Sequence, residues 1–406
     1  MKKNNFIKKF FSNLKKSITK SKNKFTIIEV LSFMVVSFAL GLIVGGIIMF
    51  GKGKFNGDVS SSLDEFIATY NDILNNYYEP VDGDKLLEAG INGMVNYLGD
   101  PYSTYYNPEE SQEFNEYLDG KFCGIGSEIQ IDNESGYVKL VKVYENSPAA
   151  KSGLKNNDLL IKVDGVDIKG KALSDVTAIV KGEQGTVVKL TIRRDNKDFD
   201  VDVTRDFVDI ISVQSEIIEL QGKKIGYIEV AIFAENTDVQ FENELKKLEE
   251  EKIDSLIIDL RSNTGGHLKT VTNMISLFIK KGDVIYKLKT KNVVEDFKDQ
   301  TEDHRDYKVV ILINEISASA SEVFTAALKE QYGALVIGET SYGKGKVQKS
   351  YQLSSGAMIK FTYQEWLTPK GDYIDGKGIE PDIKVEYKQE KERDSQLNRA
   401  IQELVK

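Results

Sequence analysis

The chain has 406 residues, 41% of them hydrophobic, which is enough for real cores in two or three domains. Its net charge of -9 excludes a general nucleic-acid binder, and its one cysteine, Cys123, excludes an intrachain disulfide. Only two histidines, His267 and His304, are present, so little material exists for a Ser-His-Asp relay.

Residues 1–25 form a basic tail, rich in lysine, with no acidic residue before position 25. Residues 30–50 then run without a charge, from Val30 through Phe33, Leu40, Ile43 and Ile48 to Phe50, within a segment 26–50 that predicts a transmembrane helix. About 20 apolar residues suffice to cross a bilayer, and the preceding lysines orient the N-terminus inside and the rest of the chain outside. A cleaved signal peptide is the rival, but no A-x-A site follows the apolar run.

After a polar linker at 51–62, apolar residues recur at helical spacing through Phe66, Ile67, Tyr70, Ile73, Leu74, Ile91 and Val95, with a break at Pro80 to Gly83. This predicts a helical hairpin within a region spanning 63–115. Residues 116–205 change to short alternating strands, among them Val138 to Val143 and Val187 to Ile192, with helical turns near Ala149 and at 173–180, and so predict a small mostly-β module. From Ile225 apolar strands alternate with helices: strands at 224–230, 255–260, 309–313 and 334–338, helices at 239–251, 268–279 and 319–330. That order predicts an α/β core with parallel strands over 206–387. Residues 388–406 read as an exposed charged helix.

Ser317, Ser319 and Ser321 alternate with alanines where a strand turns into a helix, ahead of Gly343-Lys344-Gly345 and Gln348. A serine needs a base, and with so few histidines a neutral lysine is the candidate. Its pKa would have to fall by about 3, or about 4 kcal/mol, to be useful at pH 7; burial can supply this. Lys346 competes with Lys344 for the role, and His267 is either a helix cap or a base. Asp259-Leu260-Arg261-Ser262-Asn263-Thr264-Gly265-Gly266 leaves a buried strand, and its glycines let N–H groups converge on a developing oxyanion. With the Ala320 amide at the next helix start, Gly265 and Gly266 make a candidate oxyanion hole. Gly338 to Lys344 matches a phosphate-binding loop except that Gly345 stands where Ser or Thr would hold magnesium. Gly124, Ile125 and Gly126 can form a loop that receives a terminal carboxylate, beside a strand edge that adds a peptide. No residues have metal-ligand spacing, and no cofactor is expected.

These pieces resemble the C-terminal processing peptidases, membrane-anchored or periplasmic S41-type serine proteases with an inserted PDZ domain. The likeness runs through Leu98-Gly99-Asp100-Pro101-Tyr102-Ser103, Gly124-Ile125-Gly126, Asp259-Leu260-Arg261 with Gly265-Gly266, Ser317 to Glu322, Gly343-Lys344-Gly345 with Gln348, and Gly376 to Asp382. It implies a crotonase/ClpP-like layered α/β protease core, a mostly-β PDZ domain, an N-terminal helical segment and one transmembrane helix. It implies Ser319 as nucleophile, Lys344 as general base, Gln348 orienting that lysine from the same strand face, and an oxyanion hole at the Gly265-Gly266 turn and Ala320. The PDZ module would capture substrates with exposed C-termini and gate access. The expected partners are such proteins or peptides, the membrane through 26–50, and a second copy through the N-terminal and C-terminal helices. Lys181 stands where relatives carry an arginine, and the stretch 361–369 departs from the family pattern. A membrane-tethered PDZ adaptor with an inactive protease fold is the rival from another class.

Overall fold

The computed structural model describes residues 57–406, with side chains from residue 62. The expected tail at 1–25, the transmembrane segment at 26–50 and residues 51–56 of the linker lie outside the described residues; residues 57–62, expected as linker, open a helix instead. Among the described residues no helix is long and apolar enough to cross a membrane. The chain divides into two compact units between Gly90 and Ile91.

In the first unit, α1 (Gly57–Asn76) is followed by α2 (Gly83–Tyr97), whose last turns continue beyond the division. Tyr70 Oη donates to the Gly83 carbonyl at 3.1 Å, closing the turn, and a Cβ on Gly90 would stand 3.2 Å from the Phe66 ring. Leu63, Ile67, Tyr77 and Tyr78 on α1 and just after it remain exposed.

In the second unit, the end of α2 is followed by β1 (Thr104–Tyr106) and α3 (Pro108–Asp119). Asn107 and Glu110 cap α3 reciprocally, at 2.9 and 3.0 Å, and Pro108 occupies its first turn. Gly120 ends the helix at φ 68°, and a Cβ there would meet Asn236 at 2.3 Å.

The chain enters the β module through β2 (Lys121–Gly124) and, in chain order, adds β3 (Ser127–Ile131), β4 (Val138–Val143), the short helix α4 (Pro148–Lys151), β5 (Leu159–Val163), β6 (Val166–Asp167), α5 (Leu173–Val180), β7 (Val187–Arg194) and β8 (Lys197–Thr204). It leaves through β9 (Asp206–Asp209), which pairs antiparallel with β2 from Lys121 opposite Asp209 to Gly124 opposite Asp206. An insertion whose two ends form one ribbon can be added to a core without disturbing it. Val138, Leu140, Leu160, Leu190 and Ile192 fill the module's own core together with Val176 of α5.

The central sheet runs in the order β10 (Val213–Leu220), β11 (Lys223–Val230), β12 (Ser255–Asp259), β15 (Lys308–Ile313), β16 (Leu335–Gly338), β19 (Ile383–Lys384). Only the β10–β11 pair is antiparallel; the others are parallel. The interior strands are apolar almost without interruption because both faces are covered. In β15, Val309, Ile311 and Ile313 face one core while Val310 and Leu312 face the other, the period of two expected of a strand. The first core takes Phe241 and Leu245 from α6 (Thr237–Glu250), Val271 and Met274 from α7 (Leu268–Ser276), and Val323 and Phe324 from α8 (Ala320–Ala327). The helix expected at 319–330 ends in a π turn, Leu328–Tyr332, before Gly333.

The opposite core corrects the reading of the C-terminus as an exposed helix. In α9 (Ser395–Val405), Leu397, Ala400, Ile401 and Leu404 recur at i, i+3, i+4 and i+7 and are buried against Ile257, Val310 and Leu312. The charges of Arg399, Glu403 and Lys406 occupy the other side, which is what a charge-based reading registers. A face already covered this way is not free to pair with a second copy.

A second sheet, order β1, β18 (Met358–Leu367), β13 (Val284–Lys289), β14 (Val294–Lys298), with β17 (Lys346–Gln352) also on β18, is legible only poorly in sequence. Lys346 to Gln352 reads Lys-Val-Gln-Lys-Ser-Tyr-Gln, half-exposed and without alternation. This sheet and the ends of the central strands hold the site.

Candidate active site

The three alternating serines separate by their partners. Ser317 is fully buried and donates to the Leu260 carbonyl at 2.8 Å; Ser321, equally buried, donates to the Asn263 carbonyl at 2.8 Å. Both hydroxyls tie the start of α8 to the loop after β12. Ser319 lines a cavity of about 420 Å³, and its backbone is at φ 55°, ψ -114°. Such a conformation costs about 1–3 kcal/mol in a non-glycine residue and persists only where the surroundings enforce it. Enforcement comes from Glu322, whose carboxylate accepts the Ser319 N–H at 2.8 Å.

The glycine turn lies directly against that serine. Gly265 and Gly266 have φ 107° and 144°, and a Cβ on Gly265 would stand 2.9 Å from Ser319 Cβ and 3.0 Å from the Ala320 nitrogen. Asn263 shapes the turn: its side-chain amide donates to the Val230 carbonyl at 2.7 Å and its Oδ1 accepts the Gly265 N–H at 2.9 Å. That bond occupies the Gly265 amide, contrary to the expectation that both glycines donate outward. The amides of Gly266 and Ala320 donate to no atom of the described residues, so these two are the donors the turn leaves for an oxyanion. His267 begins α7 as its N-cap, makes no side-chain cap bond, and lines the cavity.

Lys344 reaches the same cavity from the loop before β17, not from the strand itself. Its amine stands 5.3 Å from the centre of the Tyr102 ring. Burial, with Lys360 adding like-charge repulsion, pushes its pKa down to about 8 despite the opposing pull of Glu322 and Asp100. Lys346, the competing base, is held charged: it pairs with Glu365 at 2.9 Å and hydrogen bonds with Tyr373 and Glu365 raise its pKa. Gln348 also lines the cavity, but a bulge between Val347 and Gln348 breaks the strand alternation that would align it with position 344. Its amide donates to Thr362 Oγ1 at 3.3 Å, and the Thr362 hydroxyl bonds Asp100, which accepts from Ser103 at 2.5 Å. The Gly99 to Ser103 segment, a motif without an assigned task in the sequence, therefore puts Tyr102 on the lysine and Asp100 behind the glutamine's partner. Among the described residues the Lys344 amine is hydrogen-bonded to neither Ser319 nor Gln348; such bonds commonly tighten only when substrate arrives.

Glu322 is the residue sequence reasoning missed. It is fully buried and accepts from Ser319 N–H, Lys344 N–H (2.9 Å), Gly343 N–H (2.7 Å) and Ser341 Oγ (2.6 Å). Burial raises its carboxyl pKa against these four bonds, which favour the charged form. Its signal was present as an acid three residues after Ser319, the position of a capping box. The same bonds explain the phosphate-loop match: the amides of Gly343 and Lys344 close around a carboxylate of the chain itself.

In the β module, Gly124 ends β2, and the carbonyls of Ile125 and Gly126 accept from Ala149 (2.7 Å) and Tyr144 (3.1 Å). Gly126 has φ 80°, and a Cβ would lie 2.5 Å from Ser147. The loop leads into β3, an edge strand of its sheet, with α5 packed alongside. Lys181, just after α5, pairs with Glu116 of α3 at 2.7 Å and stands 5.3 Å from the Phe122 ring centre.

Residues 224–385 match the model of peptidase family S41, residues 51–110 that of the N-terminal domain of the activating protease CtpB, and residues 140–194 a PDZ domain. Over 362 residues the chain is 35% identical to the probable CtpA-like serine protease of Staphylococcus epidermidis, covering 88% of this chain and 72% of that protein. The protein of the same description from Staphylococcus aureus is 37% identical over 329 residues, 80% of this chain and 65% of the relative. A solved photosystem II D1 C-terminal processing protease is similar at 24% identity and TM-score 0.46, covering 79% of this chain and 92% of that one.

Proposed function

The chain belongs to peptidase family S41 and is a serine-type peptidase of the C-terminal processing kind, and from that premise we propose that it cuts extracytoplasmic proteins or peptides at their C-terminal tails through a Ser319–Lys344 acyl-enzyme. The observation carrying this reading is that Ser319, Lys344 and the free amides of Gly266 and Ala320 meet at one cavity, with the lysine's pKa lowered to about 8. About a tenth of such a lysine is neutral at pH 7, against fewer than one in a thousand at its ordinary pKa. Neutral Lys344 takes the proton as Ser319 Oγ attacks the scissile carbonyl. The tetrahedral oxygen is received by Gly266 and Ala320 N–H, the protonated amine returns its proton to the leaving nitrogen, and water then releases the acyl group. Gln348 orients the amine once substrate draws Lys344 toward Ser319.

In this reading the PDZ module receives the substrate's C-terminus at the Gly124-Ile125-Gly126 loop and the β3 edge, and gates entry to the cavity. The apolar run at 26–50 anchors the chain in the cell membrane with the catalytic unit outside, and exposed apolar residues of α1 support pairing with a second copy through the N-terminal helices. Incubating the full chain with an unfolded protein tests the chemistry: Ser319→Ala and Lys344→Ala should each abolish hydrolysis. Cleavage at the wild-type rate by either variant would refute the mechanism. Retention of the chain in carbonate-washed membranes tests the anchor.

A further inference from the structure

The cavity that holds Ser319 has a lopsided charge. Lys344, Lys346 and Lys360 line it, and among the described residues no Asp or Glu does, in a chain whose net charge is -9. Lys346 is neutralised by Glu365 and Asp375, and Lys344 has its place in the proton transfer. Lys360 has no carboxylate beside it among the described residues, and its repulsion of Lys344 does not account for its own burial as a charge.

Lys360 projects from β18, opposite Ser350 of β17 and Thr104 of β1, two residues from Thr362 and so on the face that carries Gln348. Its amine donates to Tyr106 Oη at 3.0 Å and stands 4.7 Å from the Phe114 ring centre and 5.3 Å from that of Tyr106, the two rings being stacked at 5.0 Å. Those rings attract a cation, yet neither supplies an opposite charge. Among the described residues no carboxylate forms an ion pair with it, and burial alone moves its pKa, downward. An ammonium has three donors, and one is placed here. Charged groups withdrawn from water are ordinarily paired, because the desolvation penalty is several kcal/mol and only a counter-charge offsets it.

We propose that Lys360 forms a carboxylate subsite within the catalytic cavity, receiving an anionic group of the peptide being cut. The proposal rests on the reading that this cavity holds the scissile bond and deepens it by naming a substrate feature. One chemistry has two sources: an Asp or Glu side chain beside the scissile bond, or the terminal α-carboxylate of a substrate whose end is not held at the PDZ loop. The aromatic pair holds the amine at a fixed place on the wall, and the two remaining N–H donors are what a carboxylate oxygen needs.

The test uses the full chain and two matched pairs of peptides with one cleavage site: free acid against C-terminal amide, and Glu against Gln next to the cut. Each pair is measured on wild type, Lys360→Gln and Lys360→Arg. In wild type one pair should show a tenfold or greater preference in kcat/KM for the carboxylate, mainly through KM, and that pair identifies the source. Lys360→Gln should bring the ratio close to one, and Lys360→Arg should keep most of it. Each ratio is taken within one preparation, so a variant that folds only in part still reports. A wild-type ratio near one for both pairs, or an unchanged ratio in Lys360→Gln, overturns the subsite. Lys344→Ala separates the two readings: loss of all cleavage leaves the mechanism standing whatever Lys360 does, whereas cleavage by that variant overturns the mechanism itself.

Discussion

One oxygen of the Glu322 carboxylate accepts both the Ser319 N–H, at 2.8 Å, and the Lys344 N–H, at 2.9 Å. The loops carrying the proposed nucleophile and base are thus fastened to a single buried atom, and the other carboxylate oxygen fastens Gly343 and Ser341. Glu322→Gln keeps the shape but must turn an NH2 toward donors. Leaving buried donors without an acceptor costs about 1–3 kcal/mol each. The variant should lose about 3 kcal/mol of stability in urea denaturation and at least about a hundredfold in kcat, since the serine's strained backbone loses its restraint. Wild-type kcat in a folded Glu322→Gln would refute the positioning role.

The lysine's depressed pKa gives a rate profile. Neutral Lys344 is the reactive form, so kcat/KM should rise as pH passes through about 8 and level off above it. Lys344→Arg, which stays protonated, should be inactive at every pH. A profile already flat by pH 6.5 would contradict a lysine base.

The same shift costs stability, and the sign is opposite to that of an ion pair. The folded-state pKa, about 8, lies below the ordinary 10.5, so the folded form resists protonation. The cost is full below about pH 8 and fades as pH rises through 10.5, where both states are neutral. A fall of about 2.5 at about 1.4 kcal/mol each gives at most about 3.5 kcal/mol. Lys344→Met should therefore stabilise the protein at pH 7, with the gain shrinking toward zero by pH 11, as read from denaturation midpoints at the two pH values.

Gly266 cannot carry a side chain. A Cβ there would stand 2.2 Å from the Phe233 carbonyl oxygen, a backbone atom that cannot rotate away, at a φ of 144°. Gly266→Ala should displace the amide and lower kcat about 100- to 1000-fold, the scale of losing one oxyanion donor, with KM nearly unchanged. Equal losses in kcat and 1/KM would point to substrate binding instead.

Arg261 joins Asp259 at 2.6 Å to Asp394, the N-cap of α9, at 2.8 Å. Removing one member of a buried network strands the others, typically at about 3–5 kcal/mol. Arg261→Met should show that loss in guanidinium denaturation.

Much of the architecture was legible because buried parallel strands are written as apolar runs: residues 256–258 and 309–313 could be little else. The second sheet was not, since β17 is polar and half-exposed and its partner β18 is set by pairing with strands distant in the chain. The last helix misled because a nearly unbroken run of charges, Lys388 to Asp394, precedes it in sequence, while its apolar residues, spaced three and four apart, are contiguous only once coiled.

By itself the sequence determined the chemistry available: three serines and two glycines at strand ends, lysines in place of histidines, and an acid three residues after Ser319. Tertiary structure decided the assignment among them. Ser317 and Ser321 spend their hydroxyls on carbonyls 57 and 58 positions away, Gly265 spends its amide on Asn263, and of two neighbouring lysines only Lys346 finds acids while Lys344 is left desolvated. Which hydroxyl is free and which amine loses its proton depends on burial and on partners, and partners distant in the chain exist only after the chain has packed.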